Sequence, residues 1–253
     1  MFAGRRGQTV STDTVALRNR LAETNPRVVQ VIDRVLAERL SFASEGPLLE
    51  LAECVLEVER ARLPGSLVEA GCALGGSALV IAAAKSSNRP LYLYDVFGMI
   101  PLPRLRDGLR AWYFTLLNRS GFRCGHGGDQ YYGYVENLLG RIMATFKAFG
   151  LDPERELVIP IKGPYRVTLG DPVRFSVALG HIDCDWYESV RCCLRALEPR
   201  LVSGGRLIFD DYYSFAGCRE AVDEYFSAAG RERYNFIGAP TRVRQQVVKR
   251  PTV

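Results

Sequence analysis

The thirty residues SLVEAGCALGGSALVIAAAKSSNRPLYLYD (66–95) decide the fold. An apolar run ends at Gly71, and a turn carrying Gly75 and Gly76 follows it. A stretch of small and aliphatic helix formers comes next, and a second apolar run then ends at Asp95. Strand, glycine turn, helix, strand within about thirty residues is a βαβ unit, which sets two parallel strands side by side.

The same alternation continues toward the C-terminus. ELVIPI (156–161), VRFSVALGHI (173–182), GRLIFD (205–210), RYNFIG (233–238) and RVRQQVV (242–248) read as strands. The helical stretches YESVRCCLRALEPRL (187–201) and CREAVDEYFSAA (218–229) lie between several of them. Strands alternating with helices predict an α/β fold, a doubly wound and mostly parallel Rossmann-like sheet covered on both faces. The last two strands, joined through Ala239-Pro240, read as a hairpin that brings in one antiparallel strand.

Toward the N-terminus, residues 1–12 read as a loose tail. Val28, Val31, Ile32 and Val35, then Leu48, Leu51, Ala52, Val55 and Leu56, recur at helical spacing between Thr14 and Arg62, with Pro26 and Pro47 near helix starts. Pro64-Gly65 closes this helical annex. The alternation stops only between Pro101 and Asp152. There, LRDGLRAWYFTLL and YVENLLGRIMATFKAFG flank a centre rich in glycine and tyrosine, and the segment reads equally as a lid or as a structural excursion. The expected organisation is one domain over 1–253: annex over 1–63, core over 64–253, and a helical insertion at about 101–152.

Composition narrows the function. Of 253 residues 47% are hydrophobic, enough for a sizeable core. The net charge of +5 gathers near the termini, in Arg5-Arg6 and TRVRQQVVKR, without the aromatic interleaving of a nucleic-acid face, and reads as solvated surface. Seven cysteines lack any C-x-x-C spacing, which suggests reduced thiols and a cytoplasmic protein. The longest apolar run, ALVIAAA, is too short to span a bilayer.

Two constellations carry chemistry. The turn after the first strand has the spacing G-x-x-x-G-G, neither the dinucleotide fingerprint nor a P-loop. Glu69 just before it would repel a pyrophosphate but suits a sulfonium with its amino group. Asp95, ending the second strand, can accept both hydroxyls of a ribose. Together they read as a pocket for S-adenosylmethionine (SAM). The second constellation is HIDCDWYES (181–189) with Asp210-Asp211 after RLIFD. Parallel strands present their carboxyl ends on one edge, so Asp183, Asp210 and Asp211 converge if those strands are neighbours. Crowded carboxylates repel, and an all-oxygen divalent cation, Mg²⁺ with Mn²⁺ or Ca²⁺ as substitutes, removes the conflict. Asp185 stays open between two readings: a D-x-x-E capping box with Glu188 at the start of a helix, or a catalytic acid–base group.

These motifs resemble the macrocin O-methyltransferase (TylF-type) family of SAM- and Mg²⁺-dependent sugar O-methyltransferases. The matching residues are VEAGCALGGS (68–77), LYLYDVFGMIP (91–101), HIDCDWYES (181–189) and LEPRLVSGGRLIFDDYYSFAGCREAVDEYF (197–226), within roughly 64–230. Val96 stands where the family often has Thr, and the quoted motifs align nothing within 101–152. The resemblance implies that Asp183, Asp210 and Asp211 hold the metal and that Asp185 is the general base. It implies cofactor contacts from Glu69, Ala70, Gly71, Gly76, Ser77, Asp95 and Asp183. The implied reaction is methylation of a sugar hydroxyl of a glycosylated natural product, as in antibiotic biosynthesis. A small-molecule glycoside and further copies of the chain are the expected partners, with neither nucleic acid nor membrane. Alternatives are a phenolic or catechol-like acceptor and a non-catalytic SAM-binding module. Catechol-type enzymes carry Lys three residues beyond the first metal Asp, where this chain has Trp186. An oxidoreductase on a similar fold is disfavoured by the glycine spacing.

Overall fold

The computed structural model describes residues 12–121, 131–238 and 244–251. Helices α1 (Thr12–Thr24), α2 (Pro26–Ala37) and α3 (Glu45–Arg60) form the annex. The core runs β1 (Ser66–Ala70), α4 (Gly76–Ala84), β2 (Leu91–Asp95), then the insertion with α5 (Gly108–Arg119) and α6 (Leu138–Ala148). After it come β3 (Val158–Lys162), α7 (Tyr165–Thr168), β4 (Val177–Ile182), α8 (Tyr187–Leu197), β5 (Leu201–Phe209), α9 (Ala216–Ala228), β6 (Tyr234–Gly238) and β7 (Gln245–Lys249).

The seven strands lie in the order β3-β2-β1-β4-β5-β7-β6. β1 to β5 are parallel, and β7 runs antiparallel to both β5 and β6, as the hairpin reading expects. The strand order reverses between β1 and β4, so their carboxyl ends flank the crevice where open α/β sheets bind ligands. There Glu69 pairs with His181 and Ala70 with Ile182.

Alternation along each buried strand builds two cores. Leu67, Leu91, Leu93, Leu179 and Ile208 meet α4 and the annex on one face. Val68, Tyr94, Ile182, Leu207 and Phe209 meet α8 and α9 on the other. The annex is therefore a wall of the core: Val28, Ile32, Val35, Leu48, Leu51 and Val55 are all buried, on the periodicity read from the sequence.

Some strand boundaries move for local reasons. β3 starts at Val158 because Leu157 adopts a left-handed φ of 49°, and β5 starts early, at Leu201. Thr12 is already helical, and the rest of the expected tail lies outside the described residues. So does the hairpin loop at 239–243. The insertion holds the two expected helices, but α5 is turned inside out. Ala111, Thr115 and Asn118 face inward, while Leu109 is 89% exposed and Leu105, just before the helix, is 94% exposed.

Candidate functional site

The glycine turn is shaped first by close approach. Gly71 has φ 95°, and a Cβ there would lie 1.7 Å from the carbonyl oxygen of Asp183. Only glycine lets the end of β1 pass the end of β4 so closely. The Gly76 N–H donates to the Leu40 carbonyl at 3.0 Å. The α2–α3 loop has taken that donor. Ala70 and Ser77 are buried beside the turn.

Asp95 grips the turn from behind. Its Oδ2 accepts from the Cys72 N–H at 2.6 Å and its Oδ1 from the Phe97 N–H at 2.7 Å. Burial pushes its carboxyl up, and these backbone donors partly offset that. Ala73 and Phe97, held by this grip, take left-handed φ of 43° and 47°. Glu69 lies fully buried under the turn. Its Oε1 is 3.0 Å from His181 Nδ1, and its Oε2 has no hydrogen-bond partner.

The acids converge as expected, with their roles redistributed. One oxygen each of Asp183, Asp185 and Asp211 lies within 4.8 Å of the others. Asp210 joins Asp183 in a second group: one atom each of His181, Asp183 and Asp210 also lies within 4.8 Å of the others, so Asp183 belongs to both. Arg244 Nε donates to Asp210 Oδ1, and His181 Nε2 lies 3.5 Å from the same oxygen. Arg244 is 2% exposed and also donates from Nη1 to the Pro47 carbonyl of α3. The TRVRQQVVKR stretch, read as solvated surface, thus sends one arginine into the site.

A buried polar chain results: Glu69, His181, Asp210, Arg244, Pro47 carbonyl. Burial alone would lower the His181 pKa, but Asp210 and Glu69 outweigh it and raise it to about 9. Burial would likewise raise Asp210, but Arg244 and His181 hold it well below the usual carboxylate range. The trio shows the opposite. Asp183 and Asp211 are pushed well up by burial and by neighbouring carboxylates, and Asp185, also by burial first, is raised to about 6.

Asp185 is not a helix cap. Its φ is 58°, Trp186 occupies the cap position of α8, and the Tyr187 N–H donates at 2.6 Å to Asp107 Oδ1 from the insertion. Glu188, the other half of the expected capping box, pairs instead with Arg191 at 2.9 Å. Asp107, which caps α8, and Arg244 were not legible as site residues. Asp107 carried only a weak turn signal in Asp107-Gly108, and Arg244 looked like any basic residue near a terminus.

The residues fit a hard cation. Three carboxylates share one corner, two of them pushed well above the usual range, and Asp211 Oδ2 is buried without a partner. Oxygen-only donors suit Mg²⁺, Mn²⁺ or Ca²⁺ rather than zinc.

Residues 128–233 match the model of the Macrocin-O-methyltransferase (TylF) family. The resemblance drawn from the motifs is borne out. Within the matched segment lie all four aspartates of HIDCDWYES and RLIFDD; the glycine turn lies outside it. Among curated proteins, the chain is 30% identical over 179 residues to the 8-demethyl-8-(2,3-dimethoxy-alpha-L-rhamnosyl)-tetracenomycin-C 4'-O-methyltransferase of Streptomyces olivaceus, covering 69% of this chain and 63% of that one. It is 28% identical over 182 residues to the demethyldecarbamoylnovobiocin O-methyltransferase of Streptomyces niveus, covering 70% and 64%. The chain thus spans a little under two-thirds of the length of these relatives. Among solved structures, the O-methyltransferase NovP superposes with a TM-score of 0.67 at 24% identity, covering 81% of this chain and 80% of that one. The calicheamicin methyltransferase CalS11 gives 0.59 at 18%, covering 96% and 94%. These likenesses show the fold alone, a mostly parallel Rossmann-like sheet.

Proposed function

We propose that the chain is a SAM-dependent O-methyltransferase that works with a divalent cation on a sugar hydroxyl of a glycosylated natural product. The observation that carries this reading is the trio Asp183, Asp185 and Asp211, set against the glycine turn at the point where the strand order reverses. The name of the tetracenomycin relative, which specifies a rhamnosyl-bearing acceptor, supports the sugar. Under this reading the whole chain is one catalytic unit: annex, core and insertion together.

When bound, SAM supplies a methyl group made electrophilic by its sulfonium, and the cation supplies Lewis acidity toward a hydroxyl whose own pKa resembles that of water, about 15.7. Asp183 and Asp211 would hold the cation, with Asp210 beside Asp183 as the third acid while it pairs with Arg244. Asp185 takes the hydroxyl proton on a carboxylate oxygen. Its backbone is fixed by the turn before α8, so the oxygen is presented without a search among rotamers of a free loop. Glu69 Oε2 supplies a buried negative charge for the cationic end of SAM. Asp95 holds the turn in shape with two oxygens whose remaining lone pairs are available to ribose hydroxyls. Trp186, tied by its Nε1–H to the Pro101 carbonyl at 3.1 Å, and Tyr132, edge-on to Phe42 at 6.0 Å, shield the corner from water.

The test is calorimetry with SAM, followed by turnover against a panel of glycosides with Mg²⁺. SAM should bind, a chelator should abolish turnover, and Mg²⁺ should restore it. Binding of NAD(P) in place of SAM would overturn the assignment, and full turnover after exhaustive chelation would remove the cation from it.

A further inference from the structure

A cavity of about 390 Å³ opens between the start of α5 and the loop that follows Asp210-Asp211. Its size falls within the roughly 300–1,000 Å³ usual for small-ligand sites. Leu109, Tyr213, Ser214 and Phe215 line it together with two arginines, Arg110 and Arg219.

Both walls are fastened to the acid trio. The Ser214 and Phe215 N–H groups donate to the Asp211 carbonyl at 3.0 and 2.9 Å. Phe215 stands edge-on to Trp186, next to Asp185, with ring centroids 5.4 Å apart. Asp107, at the start of α5, caps the Tyr187 N–H just beyond Asp185. A molecule in this cavity therefore rests on the same loops that carry Asp185 and Asp211.

The charge in the cavity is unbalanced. Neighbouring Arg106 is matched by Glu220 at 2.6 Å and Glu224 at 2.9 Å. Arg110 and Arg219 take part in no ion pair among the described residues. The Arg110 guanidinium is instead 5.6 Å from the ring centres of both Phe114 and Phe215, which limits its wandering and takes up none of its N–H donors. The one carboxylate on the lining, Asp107, has each oxygen occupied by a backbone N–H, of Tyr187 and of Arg104. Two arginine forks facing one cavity, paired with no acid among the described residues, match a planar or tetrahedral oxyanion.

We infer that this cavity binds an anionic group of the acceptor, a phosphate or carboxylate, held by Arg110 and Arg219 beside the carboxylate corner. This narrows the substrate class to acceptors carrying such a group, either a sugar still joined to a phosphate or a glycoside bearing a carboxylate. That the bound molecule is the methyl acceptor rests on the function proposed above. The anion site itself is measured without methyl transfer.

The experiment titrates the full chain with inorganic pyrophosphate and, separately, with glucuronate by calorimetry, with chelator present so that neither probe reports on a cation. SAM titrations of the same variants run in parallel. Saturable binding of pyrophosphate is expected, weakening as salt rises. Arg110→Gln and Arg219→Gln should each weaken it about 10-fold or more, as the loss of a charge-assisted hydrogen bond requires. SAM affinity and melting temperature should stay unchanged, since both arginines are exposed. Binding of glucuronate alone, with the same arginine dependence, supports the site and assigns the carboxylate source. No saturable binding of either probe, or binding indifferent to both substitutions, overturns the inference. Failure of SAM to bind the unsubstituted chain would instead strike the proposed function and leave the anion result standing.

Discussion

Replacing Asp185 by Asn separates charge from shape at the centre of the site. Asparagine accepts the left-handed φ of 58° as readily as aspartate, so the substitution adds no backbone strain. What it removes is a carboxylate that burial and its neighbours raise from 3.8 to about 6. The folded chain therefore holds the Asp185 proton more tightly than the unfolded chain does between about pH 4 and 6. Stability falls as pH rises through that window, and the deficit is complete above it. A shift of about two units corresponds to at most ~3 kcal/mol, and the partial exposure of Asp185 brings this to about 1–2 kcal/mol. In chelator at pH 8, Asp185→Asn should melt roughly 2–8 °C above the unsubstituted chain, and the two should converge near pH 4. Saturating Mg²⁺ should erase the difference by satisfying the wild-type carboxylates. Turnover should fall at least about 100-fold, because an amide accepts no proton at neutral pH. Calorimetric melts and initial rates on one preparation test both halves. A variant that melts lower at pH 8 without metal refutes the repulsion argument, and one that keeps its rate refutes the base.

Two more perturbations probe the buried chain behind the trio. Arg244→Met strips Asp210 and the Pro47 carbonyl of their shared donor, and should cost about 3–5 kcal/mol in denaturant unfolding, with Arg244→Lys recovering part; an unchanged midpoint would argue against the pairing. His181, raised to about 9, contributes stability that is fully present below its unfolded value of 6.5 and is lost as pH climbs through 9. The melting temperature should decline across that window, and the decline should flatten in His181→Gln; a wild-type profile level from pH 6.5 to 9.5 would count against the ion-paired histidine.

Periodicity and glycine spacing made the sheet legible. A βαβ unit is local, and the buried parallel strands advertise themselves as apolar runs ended by Gly71, Asp95, Asp183 and Asp210. The convergence of the acids followed from strand order, because parallel strands end on one edge. Their division of labour did not follow. Arg244 lies 34 residues from Asp210 in sequence and reaches it only because β7 is laid beside β5. Asp107 caps a helix 80 residues away. Nothing local reveals that the Leu40 carbonyl would claim the Gly76 N–H. Local signals report which backbone shapes a residue allows. Long-range partners are settled by packing, and the leucines turned outward on α5 show how a helix pattern alone misreads which side is covered.

The clasp between Arg244 and the Pro47 carbonyl bears on how such chains can be recombined. A chimera that takes its first sixty residues from a relative would carry in a new contour at that carbonyl, and the arginine would have to resettle. Because the same guanidinium holds Asp210, any resettling reaches the acids through a single side chain. The opening helices thus behave as part of the reaction chamber's masonry, and exchanging them calls for choosing the partner of Arg244 at the same time.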